Sequence, residues 1–192
     1  MLQNLLIRKR FADLKFEDFK NLAKDESLSK YEKIGFPDMY RKDYEDYIFQ
    51  DVLRKLDNLL NKNQIVLDIG PGCTELPQKL INLCKKNKHT LYLSDSKEML
   101  DLLPDDDFIN KIYGSFPNNS KKLKALDRQI DVIIVYSVLQ YVFVEGNFFS
   151  FLDKSLELLS PGGQILLGDI PNISKRTCQQ SSLTYLSVWF IK

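Results

Sequence analysis

A single histidine, His89, is all the imidazole that 192 residues offer, and this scarcity removes whole classes of chemistry. Ser/His/Asp catalysis needs a histidine beside its nucleophile, and most protein zinc sites recruit several imidazoles or thiolates. His89 lies in "KKNKHT", a polar stretch that reads as a surface turn. Cysteine is nearly as sparse: Cys73, Cys84 and Cys178 form no CxxC pair and cannot all pair with one another. That usage argues against a disulfide framework and for reduced thiols in the cytoplasm. No run of 18 apolar residues occurs, and the opening "MLQNLLIRKRFADLKFEDF" is broken by charges after a short apolar start. Neither a membrane span nor an export signal is expected. An excess of one charge is also missing, because 27 Lys and Arg against 26 Asp and Glu leave a net charge of +1. No global field draws the chain to nucleic acid or anionic lipid. The absence of any Gly-Lys-Ser/Thr triplet excludes a P-loop.

What the chain does have is apolar material for one sizeable core, at 44% hydrophobic and 11% aromatic residues. Across residues 43–60, Tyr44, Tyr47, Ile48, Val52, Leu56, Leu59 and Leu60 recur at steps of three and four with charges between them, which predicts an amphipathic helix. Together with the charged, aromatic stretch before it, punctuated by Gly35 and Pro37, it forms an expected N-terminal helical cap over residues 1–62. The pattern then changes. "QIVLDIG", "TLYLSD", "FINKIYG", "QIDVIIVYS" and "GQILLGDI" read as strands, with helices around 76–85, 97–103 and 147–159. Alternating strands and helices imply parallel pairing by right-handed crossovers, with helices on both faces. The expected fold is therefore α/β: a Rossmann-like open, mainly parallel sheet over residues 63–170, followed by a short tail, 171–192. "SPGG" at 160–163 reads as the turn that ends the last helix and leads into its strand.

Ligands of open α/β sheets sit beyond the carboxyl ends of the strands. In "VLDIGPGCTELPQKL" a strand ends in Asp68, meets Gly70 and Gly72, and runs into a helix that starts near residue 74 or 75. The glycines permit a tight turn and a close ligand approach, and the helix aims its first amides at the same place. The dinucleotide fingerprint requires glycine where Glu75 stands, and the Glu75 carboxylate, with Asp68, would repel a pyrophosphate. A ligand with cationic sulfonium and ammonium groups and no phosphate, S-adenosylmethionine, suits these acids better. Asp95, after the second strand, has the spacing of a ribose-binding acid. It also reads as a helix N-cap, and the two glycines alone could be just a turn.

Taken together, "VLDIGPG", "LYLSD", "IDVIIVYSVLQYV" and "LLSPGGQILLGD" resemble the successive motifs of class I S-adenosylmethionine-dependent methyltransferases, across about residues 63–170. The resemblance implies that Asp68, Gly70 and Gly72 surround the methionine part of the cofactor and that Asp95, with Ser96, holds the ribose. It implies that the turn carrying Ser115 and Phe116 lies along the adenine, and that Ser137, Leu139 and Tyr141 line the cofactor and the substrate mouth. "SKYEKIGFPDMYRKDYEDYIFQDVL" and the later "LLGDIPNISKR" are similar to methyltransferases found among enzymes that modify bacterial surface polysaccharides. That similarity places Tyr31, Tyr40 and Arg41 over the pocket as a lid, with Arg41 or a tyrosine hydroxyl meeting the methionine carboxylate. The same aromatics equally fit a cap packed on the sheet. Two departures weaken the implied contacts: Thr74 stands where many members have a third glycine, and Ser115 where an acid often meets the adenine amine.

Methyl transfer from a sulfonium is an in-line displacement, so alignment of the reacting atoms in a water-poor site is the main task, and no metal is required. A hydroxyl acceptor must lose its proton, and Asp169 and Tyr141 are the candidate bases. The expected activity is methyl transfer to a small molecule or glycan precursor, at oxygen. The alternative is a protein of the same fold that binds but does not turn over. A nicotinamide-dependent oxidoreductase is disfavoured by Glu75, and nucleic-acid methylation finds no basic stripe to support it. The family fold normally continues after its fifth strand with a helix and an antiparallel hairpin, for which residues 170–192 are too few. The apolar "LTYLSVWFI" gives at most one edge strand, which predicts a homodimer through that edge or a shortened chain of low stability.

Overall fold

The computed structural model describes residues 14–170 and 189–191; Cys178 and most of the tail lie outside them. Among the described residues the cap holds four short helices: α1 (Phe16–Lys24), α2 (Lys30–Lys33), α3 (Asp38–Arg41) and α4 (Glu45–Lys55). Ser29 and Glu32 close a capping box around the start of α2, and Pro37 fixes the entry into α3. The core follows in the order β1 (Ile65–Ile69), α5 (Glu75–Asn87), β2 (Thr90–Asp95), α6 (Lys97–Leu100), β3 (Ile109–Tyr113), β4 (Ile130–Tyr136), α7 (Leu139–Glu145), α8 (Phe148–Leu158) and β5 (Leu159–Gly168). β6 (Trp189–Ile191) completes the sheet.

The sheet order is β3-β2-β1-β4-β5-β6, with the first five strands parallel and β6 antiparallel to β5. The chain builds outward from β1 to β3 and then crosses back to lay β4 against β1. The order therefore reverses between β1 and β4, and a crevice opens above that point.

Strand periodicity supplies both cores. In β4, Val132, Ile134 and Tyr136 face one layer, with Ile48, Val52, Leu56 and Leu59 of the cap side and Leu80 and Cys84 of α5. Ile133 and Val135 face the other, with Phe151 and Leu158 of α8. Full burial of each such aliphatic or aromatic side chain is worth about 1.5–3 kcal/mol.

Four expectations are corrected. Where the spacing predicts one helix over 43–60, α4 ends at Lys55 and a 3-10 turn, Asp57–Leu60, follows. The Asn58 amide donates to Gln164 Oε1 (2.9 Å), and its side chain donates to Asp131 and Gly162 carbonyls, so contacts with the sheet stop the helix. "SPGG" is not a turn before the strand but lies within β5, where pairing shifts from Ile130↔Leu159 to Val132↔Gln164. Leu139, expected to line the mouth with Ser137 and Tyr141, begins α7 and turns into the core instead. His89 is not on a surface turn: it is 1% exposed. Its Nδ1 accepts from the Gln64 amide (3.0 Å), so the Nε2–H tautomer donates to the Leu59 carbonyl (3.1 Å). Lys88, left-handed at φ 57°, turns the chain inward at the end of α5 and carries His89 under the sheet.

Candidate functional site

A cavity of about 420 Å³ opens at the reversal of strand order, within the size range of small-molecule sites. Asp68 near the end of β1 with Gly70 and Gly72 just after it, Asp95 as the last residue of β2, Ser115 and Phe116 after β3, and Ser137 and Tyr141 after β4 all line it. Arg41 closes it from the cap. Four strand ends and the cap thus bring residues far apart in sequence to one end of the sheet.

The glycine turn is shaped by protein contacts as much as by any ligand. Gly70 has φ 70°, and a β-carbon there would sit 2.5 Å from Val138 Cγ2. Gly72, at φ 69°, would meet Ile34 Cγ2 of the cap at 2.7 Å. A side chain at either position is opposed by both the backbone conformation and its neighbour. The Gly70 amide donates to the Ser94 carbonyl (2.9 Å), which ties the turn to the end of β2.

Two carboxylates face the same space. Asp68 is buried, and no hydrogen bond from a described residue reaches its side chain; burial and then the negative Asp95 push its carboxyl up to about 8. Asp95 is half-buried and accepts the Ser96 amide at 2.6 Å. Burial pushes Asp95 up to about 6, against the pull of the Ser96 and Gly72 amides.

Arg41 is 6% exposed and is held by three elements. Its Nη1 donates to Ser137 Oγ (3.0 Å) and Asp169 Oδ2 (3.2 Å), and its Nε lies 3.7 Å from Glu45 Oε1. Ser137 also donates to Asp169. Ser137 (φ 59°) and Asp169 (φ 56°) both take the left-handed conformation at the ends of adjacent strands, and that backbone brings their side chains to one guanidinium. Removing Arg41 would strand buried charge, at a cost of about 3–5 kcal/mol. Asp169 itself does not line the cavity; it stands behind Ser137 and Arg41. Tyr141 does line it, edge-on to Phe19 at 4.8 Å, with its phenol titration raised first by burial.

Other expected residues lie elsewhere. Ser96 is buried and outside the lining; its Oγ accepts the Met99 amide (3.2 Å), so Ser96 rather than Asp95 caps α6. Glu75 also points away from the cavity. Its carboxylate meets Lys30 Nζ and the Tyr31 hydroxyl (2.6 Å), because α2 packs against the start of α5. What opposes a pyrophosphate here is therefore the Asp95 carboxylate, beside an Asp68 that burial keeps mainly protonated at pH 7. Tyr31 is committed to Glu75 and Tyr40 is exposed, so neither lines the cavity.

The sequence pattern missed several contributors. Phe16, Phe19, Ile34 and Phe36 of the cap form an apolar wall. Glu45 accepts the Leu76 amide (2.8 Å), which occupies one of the first α5 amides and joins it to the cap. Arg41 ends α3 and Glu45 begins α4, so their approach is made by the turn between the two helices, with Asp43 at φ 70°, and no helical spacing signals it. Asn119, in the lysine-rich stretch between β3 and β4, is buried and donates to Ser94 Oγ (2.9 Å) and the Gly114 carbonyl (2.8 Å), holding the turn before Ser115.

Compared by sequence, the chain matches no protein-family model and no curated protein. Compared by structure, it is similar to the DhpI-SAM-HEP complex, with a TM-score of 0.56 at 21% identity over 85% of this chain and 68% of that one. N-methyltransferase NodS from Bradyrhizobium japonicum WM9, in complex with S-adenosyl-L-homocysteine, gives a TM-score of 0.55 at 15% identity over 85% and 77%. Precorrin-6y C5,15-methyltransferase from Geobacter metallireducens GS-15 gives 0.50 at 16% over 70% and 67%. The likeness is one of fold. The chain has the Rossmann-like architecture of these proteins, and among its described residues no helix is long and apolar enough to cross a membrane.

Proposed function

We propose that the chain is an S-adenosylmethionine-dependent methyltransferase acting on a small molecule or glycan precursor, at oxygen, in the cytoplasm. The observation that carries this reading is the pair of acids, Asp68 and Asp95, in one cavity at the reversal of strand order, with no cation paired to Asp68 among the described residues. Such a wall suits a ligand that brings positive charge and ribose hydroxyls, and it opposes a diphosphate. The fold it shares with proteins solved with SAM or S-adenosyl-L-homocysteine supports the same choice.

The cofactor, when bound, supplies a methyl group on a sulfonium. Asp95 would accept from the ribose hydroxyls, and Asp68 would face the charged methionine end. Ser115 and Phe116 would flank the base on the turn that Asn119 braces. Arg41 would meet the methionine carboxylate from the cap, while Phe16, Phe19, Phe36 and Tyr141 exclude water from the acceptor end. Asp169 lies behind the lining, so as a base toward a hydroxyl it would act through Ser137, which lines the cavity and donates its hydroxyl to Asp169. β6 at the sheet edge supports a homodimer through that edge, checked by sedimentation.

Calorimetric titration of the purified chain with S-adenosylmethionine, with NAD as a control ligand and Asp95→Ala as a control variant, tests the reading. Micromolar binding that is selective over NAD and lost in the variant supports it. No binding by a folded chain leaves a scaffold without a cofactor.

A further inference from the structure

The cap and the α7–α8 turn meet over one end of the cavity, and most of what they place there is hydrocarbon. Phe16 and Phe19 of α1, Ile34 and Phe36 between α2 and α3, and Tyr141 and Val142 of α7 line this end. Phe19 and Tyr141 meet edge-on at 4.8 Å, and the Tyr141 hydroxyl is turned to the cap backbone, 3.4 Å from where a β-carbon at Gly35 would stand. The polar side chains here already hold protein groups. Glu145 accepts the Phe16 amide (2.9 Å), and Asn147 accepts the Ser150 amide (3.1 Å) as the N-cap of α8. The Ser137 hydroxyl is held by Asp169 and Arg41. Apolar surface then continues past the rim. Phe143 stacks on Phe148 at 4.9 Å, and Phe148 meets Phe149 at 5.6 Å. Phe143, Val144 and Phe149 are 57%, 70% and 73% exposed, and they sit beside Val142, Glu145 and Ser150, which line the cavity. A contiguous exposed strip of this kind marks a binding surface. No Lys or Arg occurs from residue 137 to residue 153, so the strip lacks the cations that draw a helix to an anionic lipid surface.

We infer that the acceptor is a hydroxyl compound with a hydrocarbon body, such as an alkylated phenol, and that its tail leaves the cavity over Phe143 and Phe149. The inference rests on the proposed methyltransferase reading and decides between the two acceptor classes named there, against the glycan precursor. A sugar would bring several hydroxyls to a wall whose polar side chains are engaged, and a hydroxyl buried without a partner loses its water uncompensated. A hydrocarbon body gains from the same wall in proportion to the apolar area it covers, and a phenol ring gains edge and face contacts with the aromatic side chains. The rim strip extends that gain to a tail longer than the cavity is deep. Phe19 and Tyr141 then select the ring, and Phe143 and Phe149 select the tail.

The test is a chain-length series. The full chain, loaded with S-adenosylhomocysteine, is titrated with 4-alkylphenols from 4-methylphenol to 4-octylphenol, and with methyl glucoside as the sugar probe. Saturable binding at one phenol per chain should tighten about fourfold for each methylene that the wall covers, while methyl glucoside should not bind. Phe19→Ser should weaken the whole series. Phe143→Ser/Phe149→Ser, at two exposed positions, should keep the fold and the affinity for the short phenols and lose the gain of the long ones; if Phe19→Ser fails to fold, this double variant decides. A flat series, a long-chain gain undiminished in the double variant, tight binding of methyl glucoside, or mutual exclusion of phenol and S-adenosylhomocysteine overturns the inference alone. Binding to phosphatidylglycerol vesicles, or dimerisation, that the double variant abolishes gives the strip another occupant and also overturns it. No binding of S-adenosylhomocysteine by a folded chain overturns the proposed function and the acceptor class with it.

Discussion

Replacing Gly70 by alanine probes the turn on which the cavity depends. Two separate penalties apply. The left-handed backbone, φ 70°, costs a residue with a β-carbon about 1–2 kcal/mol. The new β-carbon would also stand 2.5 Å from Val138 Cγ2, far inside ordinary contact, and overpacking of this kind costs about 1–3 kcal/mol. Gly70→Ala should therefore destabilise the fold by about 2–5 kcal/mol, read as a lower urea midpoint at unchanged slope. The two parts can be separated, because only the second depends on Val138. In the double variant Gly70→Ala/Val138→Ala the overlap disappears and the backbone penalty stays. The cycle should show a favourable coupling of about 1–3 kcal/mol. Strict additivity of the two substitutions would refute the close approach of β1's turn to the segment after β4.

Three further outcomes follow from contacts already described. Asp68 holds its proton in the folded state up to about 8 and in the unfolded chain only to about 3.8, so the folded state binds more protons between those values and stability falls as pH rises through that window. Relative to Asp68→Asn, the ligand-free wild type should lose about 1.4 kcal/mol per pH unit between pH 5 and 7 in urea unfolding, and a constant difference would contradict it. Glu75→Gln should leave ligand affinity unchanged and cost less than about 1 kcal/mol, since the carboxylate serves a partly exposed pair with Lys30 outside the cavity; a large change in affinity would return Glu75 to the site. His89→Ala should destabilise by about 1–3 kcal/mol in the same assay, because it leaves the Gln64 backbone amide without its acceptor and takes one of two donors from the Leu59 carbonyl, which keeps Asn87, whereas a surface histidine would cost almost nothing.

The strands were the most legible part of the chain. "TLYLSD" becomes β2 over Thr90–Asp95 without adjustment, and the five runs read as strands all become parallel strands, in the chain order expected of them, since apolar runs bounded by glycine, charge or proline encode buried parallel strands directly. The strand-end positions of Asp68, Gly70, Gly72, Asp95, Ser115, Phe116 and Ser137 followed from that order. What failed was side-chain direction and tertiary partnership. Glu75 sits at the right place in the motif yet turns toward Lys30 and Tyr31, because the cap packs there. His89 and Asn119 sit in polar strings but satisfy backbone groups inside the fold. The helix over 43–60 carries a continuous apolar stripe, and its break is set by Gln164, more than a hundred residues away in sequence. No local window contains such long-range bonds.

A structure of the chain determined with S-adenosylhomocysteine tests the central claim most directly. The predicted result is a ligand lying across the glycine turn, with its ribose hydroxyls on Asp95 and its amino-acid end between Asp68 and Arg41. A ligand bound elsewhere, or a cavity left unchanged at saturating concentration, would contradict the methyltransferase account.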